Sequence, residues 1–351
     1  MTRVIVGMSG GVDSAVAAFL LREKGYEVIG VTLRTWLSED GTESRCCEID
    51  DARRTAMELG IRYYPYNCLK LFEDSVIVPF AKDYVTGLTP NPCIECNRYV
   101  KWGKMQYIAN VLGADYIATG HYAHVVRKEN GRYTVRTADN IAKDQTYMLY
   151  KLTQDQLAAT LMPLGGYSKD EVRAIAEREG ISVAHKNDSQ ELCFVTSGDH
   201  ADYIDGMKEV DAPPQGAFVD SEGNILGMHK GIHHYTIGQR KGLGISLGTP
   251  RFVTKLRPDT NEVVLGDEAD LMCRSILVRD INLMSIPELK EEIRCFVKIR
   301  YAHKAVPAVI RPEGEMHIRI EFVNSVRAAS PGQSAVFYDE EGCVIGGGRI
   351  V

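Results

Sequence analysis

The sequence lacks the features that place a protein in a membrane or outside the cell. It has no run of about 18 apolar residues, the length that a membrane-spanning helix needs. It starts with a strand-like segment and shows no basic-then-apolar leader, so we expect no secretory signal. Its nine cysteines are therefore expected to be thiols in a reducing cytoplasm, available for chemistry or metal binding. We expect a cytoplasmic protein with no membrane partner.

Two common site motifs are also absent. No Gly-Lys-Ser/Thr follows the glycines near the N-terminus, which excludes a Walker-type phosphate loop. Cys93 and Cys96 form a Cys-x-x-Cys pair, but no second such pair occurs, which disfavours a four-cysteine zinc site. Phosphate or thiol chemistry in this chain must therefore use another arrangement.

Basic residues are outnumbered overall, and the formal net charge is −6. This balance argues against a nucleic-acid partner, but two windows without any acidic residue argue for one. Residues 228–257 contain six Lys/Arg, and residues 293–312 contain five. The two basic windows could bind a polyanion. They could equally be solvated strand faces, and charge alone does not decide between the two interpretations.

What is present begins with the string Gly7-Met8-Ser9-Gly10-Gly11-Val12-Asp13-Ser14. A β-branched strand pattern precedes it and a helix pattern, ended by Gly25, follows it. Glycines at such a turn remove Cβ atoms that would keep a ligand from the backbone, and the helix N-terminus favours an anion. Asp13 could cap the helix or hold Mg²⁺ beside a phosphate. The string predicts a phosphate-binding loop.

Alternating strand and helix patterns follow this loop. They predict strands over 26–33 and 62–66 and helices over 49–60, 69–85 and 154–161. Pro79 predicts a break or kink in the helix that contains it. The alternation predicts an α/β fold with a doubly wound parallel sheet. The adjacent Cys46 and Cys47 are interpreted as structural or incidental.

Composition changes after residue 196. Short strand patterns separated by turn residues predict a small β-rich central domain over 197–268. No long helix pattern occurs after Glu292, so residues 269–351 are expected to form a β-barrel. We thus expect a catalytic domain over 1–196 followed by two β domains.

Cysteines later in the chain are candidates for chemistry. Cys93 and Cys96 follow Asn91-Pro92 near the start of a predicted helix, where the helix dipole lowers the pKa of a thiol. Cys193 ends the polar stretch 185–194. A buried structural cysteine is the default interpretation, but the flanking polarity favours an exposed thiol.

A further pair, Gly120-His121, follows the strand pattern 114–119. The carboxyl ends of parallel strands form the ligand-binding edge of a sheet, so Gly120 could let a nucleotide approach and His121 could contact substrate. Without context, a turn glycine followed by a hydrogen-bonded histidine is the more common arrangement.

The N-terminal string resembles the pyrophosphate loop of the ATP pyrophosphatase superfamily. Together with five later strings, it resembles the tRNA-specific 2-thiouridylases, which replace the oxygen at C2 of the wobble uridine with sulfur. The resemblance covers essentially the whole chain. The strings are 9–14, 91–97, 118–122, 143–145, 189–194 and 238–244.

The resemblance implies a fold, ligands and roles for the residues. It implies that Gly7–Ser14, with Leu33 and Gly120, binds ATP and Mg²⁺ for adenylation of uracil O2. Cys193 would carry a persulfide received from an upstream donor, either a cysteine desulfurase or a sulfur-relay protein. Cys96 would then release the thiolated base, leaving a Cys96–Cys193 disulfide.

The resemblance also implies contacts with tRNA. The implied contacts with the target base are Asn91, Pro92 and Cys93, and the other implied tRNA contacts are His121, Lys143, Asp144, Gln145, Arg300, Tyr301 and Gln333. Many family members have Asp at position 93. Here Cys93, Cys96 and Cys193 could instead hold an iron–sulfur cluster that binds hydrosulfide. That cluster route, and a different adenylating ligase of the superfamily, stay open as alternatives.

Overall fold

The structure is a computed structural model that describes residues 1–37, 48–186, 192–195 and 198–351. The pair Cys46-Cys47 and residues 187–191 of the polar stretch lie outside these ranges. The strands are β1 (Arg3–Gly7), β2 (Glu27–Arg34), β3 (Arg62–Asn67), β4 (Tyr116–Ala118), β5 (Ala123–Arg127), β6 (Tyr133–Thr137), β7 (Thr160–Leu161), β8 (Gly216–Val219), β9 (Ile225–His229), β10 (Phe252–Arg257), β11 (Glu262–Gly266), β12 (Met272–Leu283), β13 (Ile293–Lys298), β14 (Val306–Glu313), β15 (His317–Arg327), β16 (Ser334–Tyr338) and β17 (Val344–Ile350). The α-helices are α1 (Val12–Glu23), α2 (Ile49–Glu58), α3 (Leu69–Phe72), α4 (Val78–Val85), α5 (Pro92–Glu95), α6 (Gly103–Leu112), α7 (Gln154–Ala158), α8 (Lys169–Arg178) and α9 (His200–Asp205). None of the helices in the described ranges is both long and apolar enough to span a membrane.

The first sheet is parallel and has the strand order β3-β2-β1-β4-β7. Its central strand β1 is buried on both faces, because Ile5 packs into one apolar cluster while Val4 and Val6 pack into another. The first cluster includes Phe80 of α4, and the second includes Val172 of α8. Helices therefore cover both faces, and the predicted doubly wound sheet is confirmed.

The loop after β1 lies where the strand order reverses. The chain passes from β1 to β2 and β3 on one side, and β4 and β7 add to the other side. In open α/β sheets, ligands bind at such a switch point, at the carboxyl ends of the strands. The fold thus places the glycine loop at the expected ligand-binding edge.

Two helices contain π-helical segments. Residues Glu73–Ile77 are π-helical between α3 and α4, just before Pro79, which confirms the predicted break. Residues Cys96–Trp102 are π-helical between α5 and α6. The predicted helix over 154–161 was too long, because α7 ends at Ala158 and Thr160–Leu161 pairs with β4 as the sheet edge.

Antiparallel pairing dominates the rest of the chain. Strands β8 to β11 form a four-stranded sheet, and the last six strands close into a barrel in the order β12-β15-β14-β13-β16-β17. The first half of β15 alternates between half-buried and buried residues, as a barrel wall requires. The predicted C-terminal barrel is confirmed.

Buried and partly buried hydrogen bonds connect the barrel to the first domain. The Tyr147 hydroxyl donates to the Ser334 carbonyl at 2.8 Å, and the Tyr150 hydroxyl lies 3.0 Å from Ser334 Oγ. Asn282 donates to the Tyr150 carbonyl at 2.6 Å. These contacts hold one end of the barrel against the first domain.

Candidate nucleotide loop and thiol site

The two loop glycines, Gly10 and Gly11, differ in the atoms that a side chain at each position would meet. Gly10 has φ +79°, and a Cβ there would lie 2.7 Å from the Glu48 carbonyl oxygen. Glycine is therefore required at position 10, both because the backbone is left-handed there and because the backbone packs against the start of α2. Among the described residues, a Cβ on Gly11 would meet only Ser9 Oγ, at 3.4 Å. Gly11, not Gly10, leaves open space over the loop, which corrects our expectation that both glycines make room for a ligand.

The loop is closed by its own hydroxyl groups. The Ser9 backbone N–H donates to Ser14 Oγ at 3.1 Å, and Ser14 Oγ donates to the Gly11 carbonyl at 3.0 Å. Gly11 is the N-cap residue of α1 and supplies no side-chain acceptor. The expectation that Asp13 caps this helix was therefore wrong, since Asp13 lies inside the first turn.

Asp13 instead binds two side chains from later segments. The Tyr122 hydroxyl donates to Asp13 Oδ1 at 2.6 Å, and Lys169 Nζ lies 2.8 Å from both carboxylate oxygens. Lys169 begins α8, directly after its N-cap Ser168. This ion pair was not predicted, because Lys169 lies far along the chain from Asp13.

Lys186 reaches the other end of the loop. Its Nζ donates to the Gly10 carbonyl at 3.2 Å and to Asp51 Oδ2 at 2.5 Å, and it also pairs with Glu48. Burial lowers the pKa of Lys186. Two lysines, Lys169 and Lys186, therefore flank the loop. The polar stretch 185–194 was the only sequence feature that drew attention to the region of Lys186.

The remaining predicted nucleotide residues are built into the surrounding packing. Leu33 is buried near the end of β2, and Met8 and Val12 are buried in the cluster under α1. A Cβ on Gly120 would lie 2.7 Å from the Ser14 backbone N. Gly120 thus permits close packing of β4 against the start of α1, beside any role toward a nucleotide.

The two predicted catalytic cysteines lie in one apolar cluster. Cys96 is buried within it, and the half-buried Cys193 packs against it. Phe194, next to Cys193, is buried among the rings of Phe72 and Phe80 at centroid distances of 5.8 and 5.2 Å. This aromatic anchor fixes the backbone beside Cys193, whose thiol is half-buried where we expected an exposed one.

Asn91 and Pro92 shape the start of the thiol helix. Asn91 is the N-cap of α5 and accepts a hydrogen bond from the Cys93 backbone N–H at 3.2 Å, and Pro92 occupies the first helical position. Cys93 is exposed at this helix start, whereas Cys96 is buried one turn later. The prediction that both cysteines lie near a helix N-terminus is confirmed.

Tyr301 of the barrel lies within electrostatic range of two first-domain residues. The pKa of Tyr301 is raised by burial and by the nearby charges of Asp144 and Cys93. Lys298 Nζ lies 5.6 Å from the centre of the Tyr301 ring. Tyr301 of the barrel thus senses charges of Cys93 and Asp144 of the first domain, and Lys298 lies over its ring.

Several predicted tRNA residues make hydrogen bonds inside the protein. Gln333 Nε2 donates to the Thr89 carbonyl at 2.9 Å, Asp144 accepts from Thr146 Oγ1 at 2.7 Å, and Gln145 accepts from the Tyr122 backbone N–H at 2.9 Å. Arg300 donates to the Arg327 carbonyl at 3.0 Å, and the half-buried Lys143 ends a short 3₁₀ turn. These contacts position the junction, and contact with tRNA stays a prediction for each residue.

His121 lies between the loop and the thiol helix. Its Nδ1 is 2.8 Å from Thr119 Oγ1, and its ring centroid is 5.5 Å from that of Trp102. Loss of water around the ring, with a smaller contribution from Lys101, holds its pKa well below the usual value. His121 is therefore neutral at physiological pH.

The basic windows are partly neutralised by ion pairs. In the first, Arg251 pairs with Asp267 at 2.9 Å and Arg257 with Glu262 at 3.0 Å. Within the described ranges, its other four cations have no carboxylate partner and are exposed: Lys230, Arg240, Lys241 and Lys255. The window retains the net positive surface that a polyanion requires.

Two compact groups of potential metal ligands occur in the described part of the chain. They are Asp205, His233 and His234, and Asp339, Glu341 and Cys343. In the first group, His233 Nδ1 is buried without a partner, whereas a metal-bound histidine normally donates that N–H. In the second, Lys128 neutralises both carboxylates. Cys93, Cys96 and Cys193 do not form such a compact group among these residues, so they do not surround a single ion.

Comparison with known proteins identifies the family. Family models match three consecutive parts: a tRNA methyl transferase HUP domain over 2–197, a tRNA methyl transferase PRC-barrel domain over 205–267, and an aminomethyltransferase beta-barrel domain over 273–350. The chain is 49% identical to the tRNA-specific 2-thiouridylase MnmA of Lachnoclostridium phytofermentans, over 100% of both chains. It is 48% identical to that of Clostridium botulinum (strain Alaska E43), over 99% of this chain and 97% of the relative.

A solved structure is more distant. The U34-tRNA thiolase NcsA from Methanococcus maripaludis, with its 4Fe-4S cluster, is 23% identical, with a TM-score of 0.38 over 55% of this chain and 61% of that one. The matches to the curated relatives extend over essentially the full length of both chains. This chain therefore belongs to the tRNA-specific 2-thiouridylase family.

Proposed function

We propose that this chain uses ATP to replace the oxygen at C2 of the wobble uridine of tRNA with sulfur. The observation that carries the proposal is the placement of Cys96 and Cys193 in one packed cluster of a chain that matches 2-thiouridylases over its full length. The two thiols come from distant segments, and the fold brings both to one cluster. Such an arrangement suits a transfer in which one sulfur is delivered and the other releases it.

The loop would carry out the first step. Uracil O2 attacks the α-phosphorus of ATP, pyrophosphate leaves, and the base loses its N3 proton. The open space at Gly11, the backbone N–H groups at the start of α1 and the two flanking lysines fit a polyphosphate. Mg²⁺ would accompany ATP and neutralise phosphate charge. Asp13 is the loop carboxylate that would approach it, in competition with Lys169.

The cysteines would carry out the second step. The terminal sulfur of a Cys193 persulfide attacks C2 and AMP leaves with the oxygen. The Cys96 thiolate then attacks the inner sulfur, so that the S–S bond breaks and the thiolated base leaves with its electron pair. The product on the protein is a Cys96–Cys193 disulfide, which a cellular thiol reductant must open before the next cycle.

The junction between the first domain and the barrel would hold the anticodon loop. Asn91, Pro92 and Cys93 would contact the flipped base, because they form a helix start at which Cys93 is exposed. The exposed cations of 228–257 would bind phosphates of the tRNA backbone. The sulfur would come from an upstream donor, a cysteine desulfurase or a sulfur-relay protein.

The test is the mass of the wobble nucleoside after incubation of unmodified tRNA with ATP, Mg²⁺ and a persulfide donor. Wild-type protein should convert uridine to 2-thiouridine. Cys193→Ser and Cys96→Ser should each abolish turnover, and Cys96→Ser should accumulate tRNA joined to Cys193. Cys273→Ser is the matched control, because Cys273 is also half-buried but lies in the barrel wall.

Cys93→Ser separates this route from the iron–sulfur alternative. On the persulfide route, Cys93 is a base contact, and its serine variant should retain most of the activity. On the cluster route, Cys93 is a ligand, and the variant should lose activity together with bound iron. Thiolation by Cys193→Ser equal to wild type would contradict both routes.

A further inference from the structure

Lys186 lies on the nucleotide loop, and the proposed function uses it only as one of two flanking positive charges, with no phosphate assigned to it. Its ammonium group contacts the Gly10 carbonyl, Asp51 and Glu48, so it lies on the loop at the end opposite to Lys169. Its side chain is about a quarter exposed, at 27%. Ion pairs with this much exposure contribute little to folding stability, so stabilising the fold accounts poorly for this arrangement.

The carboxylates that hold Lys186 do not depend on it. Glu48 is the N-cap of α2 and Asp51 lies in its first turn, where the helix dipole favours negative charge. Asp51 also pairs with Arg54 at 3.5 Å. If Lys186 moved away, both carboxylates would keep favourable surroundings.

The backbone of Lys186 is anchored, whereas its side chain can reorient. The Lys186 N–H donates to the Val183 carbonyl at 3.1 Å, and Val183 and Ala184 are buried beneath α1. Four methylene groups separate this fixed backbone from the ammonium group. The ammonium can therefore exchange one acceptor for another near Gly10 without a change of fold.

We propose that Lys186 binds the β- and γ-phosphates of ATP, exchanging Asp51 and Glu48 for phosphate oxygens when the nucleotide enters. The inference rests on the proposed use of ATP and adds a residue to it. Lys169 pairs with Asp13 at the helix start, whereas Lys186 lies at the other end of the loop and supplies positive charge for the part of ATP that leaves as pyrophosphate. AMP lacks that part and should not need Lys186.

Calorimetric titration with two nucleotides tests this difference. The probes are α,β-methylene-ATP with Mg²⁺, which cannot be cleaved at the reacting bond, and AMP. Lys186→Met should weaken binding of the triphosphate analogue roughly 10- to 100-fold, the range of a hydrogen bond to a charged group. Binding of AMP should change by less than about twofold. Lys186→Arg should retain part of the affinity, and it serves if the methionine variant does not fold.

Lys24→Met is the charge-matched control, since Lys24 is exposed at the far end of α1. It should leave the affinities for both nucleotides unchanged. Equal weakening of the analogue and AMP by Lys186→Met would show a structural role and overturn the inference, and so would an unchanged affinity for the analogue. Wild-type protein that binds neither nucleotide would overturn the proposed use of ATP itself, a result recognisable before any variant is compared.

Discussion

The nucleotide loop and the thiol site are built in opposite ways. The loop is contiguous in sequence, and Ser9, Gly11 and Ser14 close it with their own hydrogen bonds. The proposed thiol site would combine two distant segments, the helix that contains Cys93 and Cys96 and the turn at Cys193, and Cys96 and Cys193 belong to one apolar cluster. A local change should therefore damage the loop directly, whereas the thiol site should be sensitive to contacts between domains.

The largest expected effect separates the two loop glycines. Gly10→Ala places a Cβ in a left-handed conformation and 2.7 Å from the Glu48 carbonyl, so it should lower the free energy of unfolding by roughly 2–4 kcal/mol. Gly11 has φ −101°, which alanine can adopt, and the space around it is open. Gly11→Ala should therefore change the free energy of unfolding by less than about 1 kcal/mol while weakening nucleotide binding. Urea denaturation of both variants measures the difference. Equal destabilisation by the two substitutions would contradict the assignment of Gly10 to packing and Gly11 to ligand space.

The Asp13–Lys169 pair is the next contact to break. Lys169→Met leaves the Asp13 carboxylate with only the Tyr122 hydroxyl of its two side-chain partners described here, so the protein should lose about 1–3 kcal/mol of stability. Tyr122→Phe removes the weaker partner and should cost less. Thermal unfolding of the two variants ranks them, and a larger loss for Tyr122→Phe would refute this order.

Gln333 tests the dependence of the thiol site on the barrel. Its side-chain amide donates to the Thr89 and Pro90 carbonyls, directly before Asn91. Gln333→Ala should cost roughly 1–2 kcal/mol of stability and raise the KM for tRNA, because the base-contacting segment loses its support. Affinity for the ATP analogue should stay at the wild-type value. A matching loss of nucleotide affinity would show that the two regions are not independent.

The smallest effect at neutral pH concerns His121, between the two regions. The pKa of His121 in the folded protein lies well below 6.5, the value for an exposed histidine. Between the folded-state pKa and pH 6.5, only the unfolded chain binds the proton. Stability from this group is therefore complete above pH 6.5 and decreases as the pH falls, by up to about 1.4 kcal/mol per pH unit. Other buried histidines act in the same direction, so the comparison is between wild type and His121→Asn. Urea midpoints from pH 7 to pH 5 should fall less steeply for the variant, and identical slopes would contradict the assignment.

The contrast between the regions also explains what the sequence could predict. The loop, the parallel sheet and the barrel follow from local patterns, because periodicity and turn residues are properties of neighbours in the chain. The requirement for Gly10 was misjudged because Glu48 reaches it only through the packing of α2. Lys169 and Lys186 were missed for the same reason, since their neighbours in sequence, even the polar stretch 185–194, do not indicate that the two lysines flank the loop.

The thiol site shows the same limit. Cys96 and Cys193 were singled out by motif resemblance, and only the fold shows that both lie in one apolar cluster. Asp144 and Gln333 were predicted as tRNA contacts because they match tRNA-contacting positions of the family that the sequence resembles. Their side chains have hydrogen-bond partners within the protein, a property set by tertiary structure that sequence alone does not contain.

The most direct measurement follows the oxygen that the loop is proposed to activate. A tRNA carrying ¹⁸O at C2 of the wobble uridine would be incubated with ATP, Mg²⁺ and a persulfide donor, and the nucleotide products analysed by mass spectrometry. If the loop adenylates O2 and a thiol displaces it, the label should appear in AMP, in a 1:1 ratio to the 2-thiouridine formed. Label in water or in pyrophosphate, with unlabelled AMP, would contradict this division of labour between the loop and the thiols.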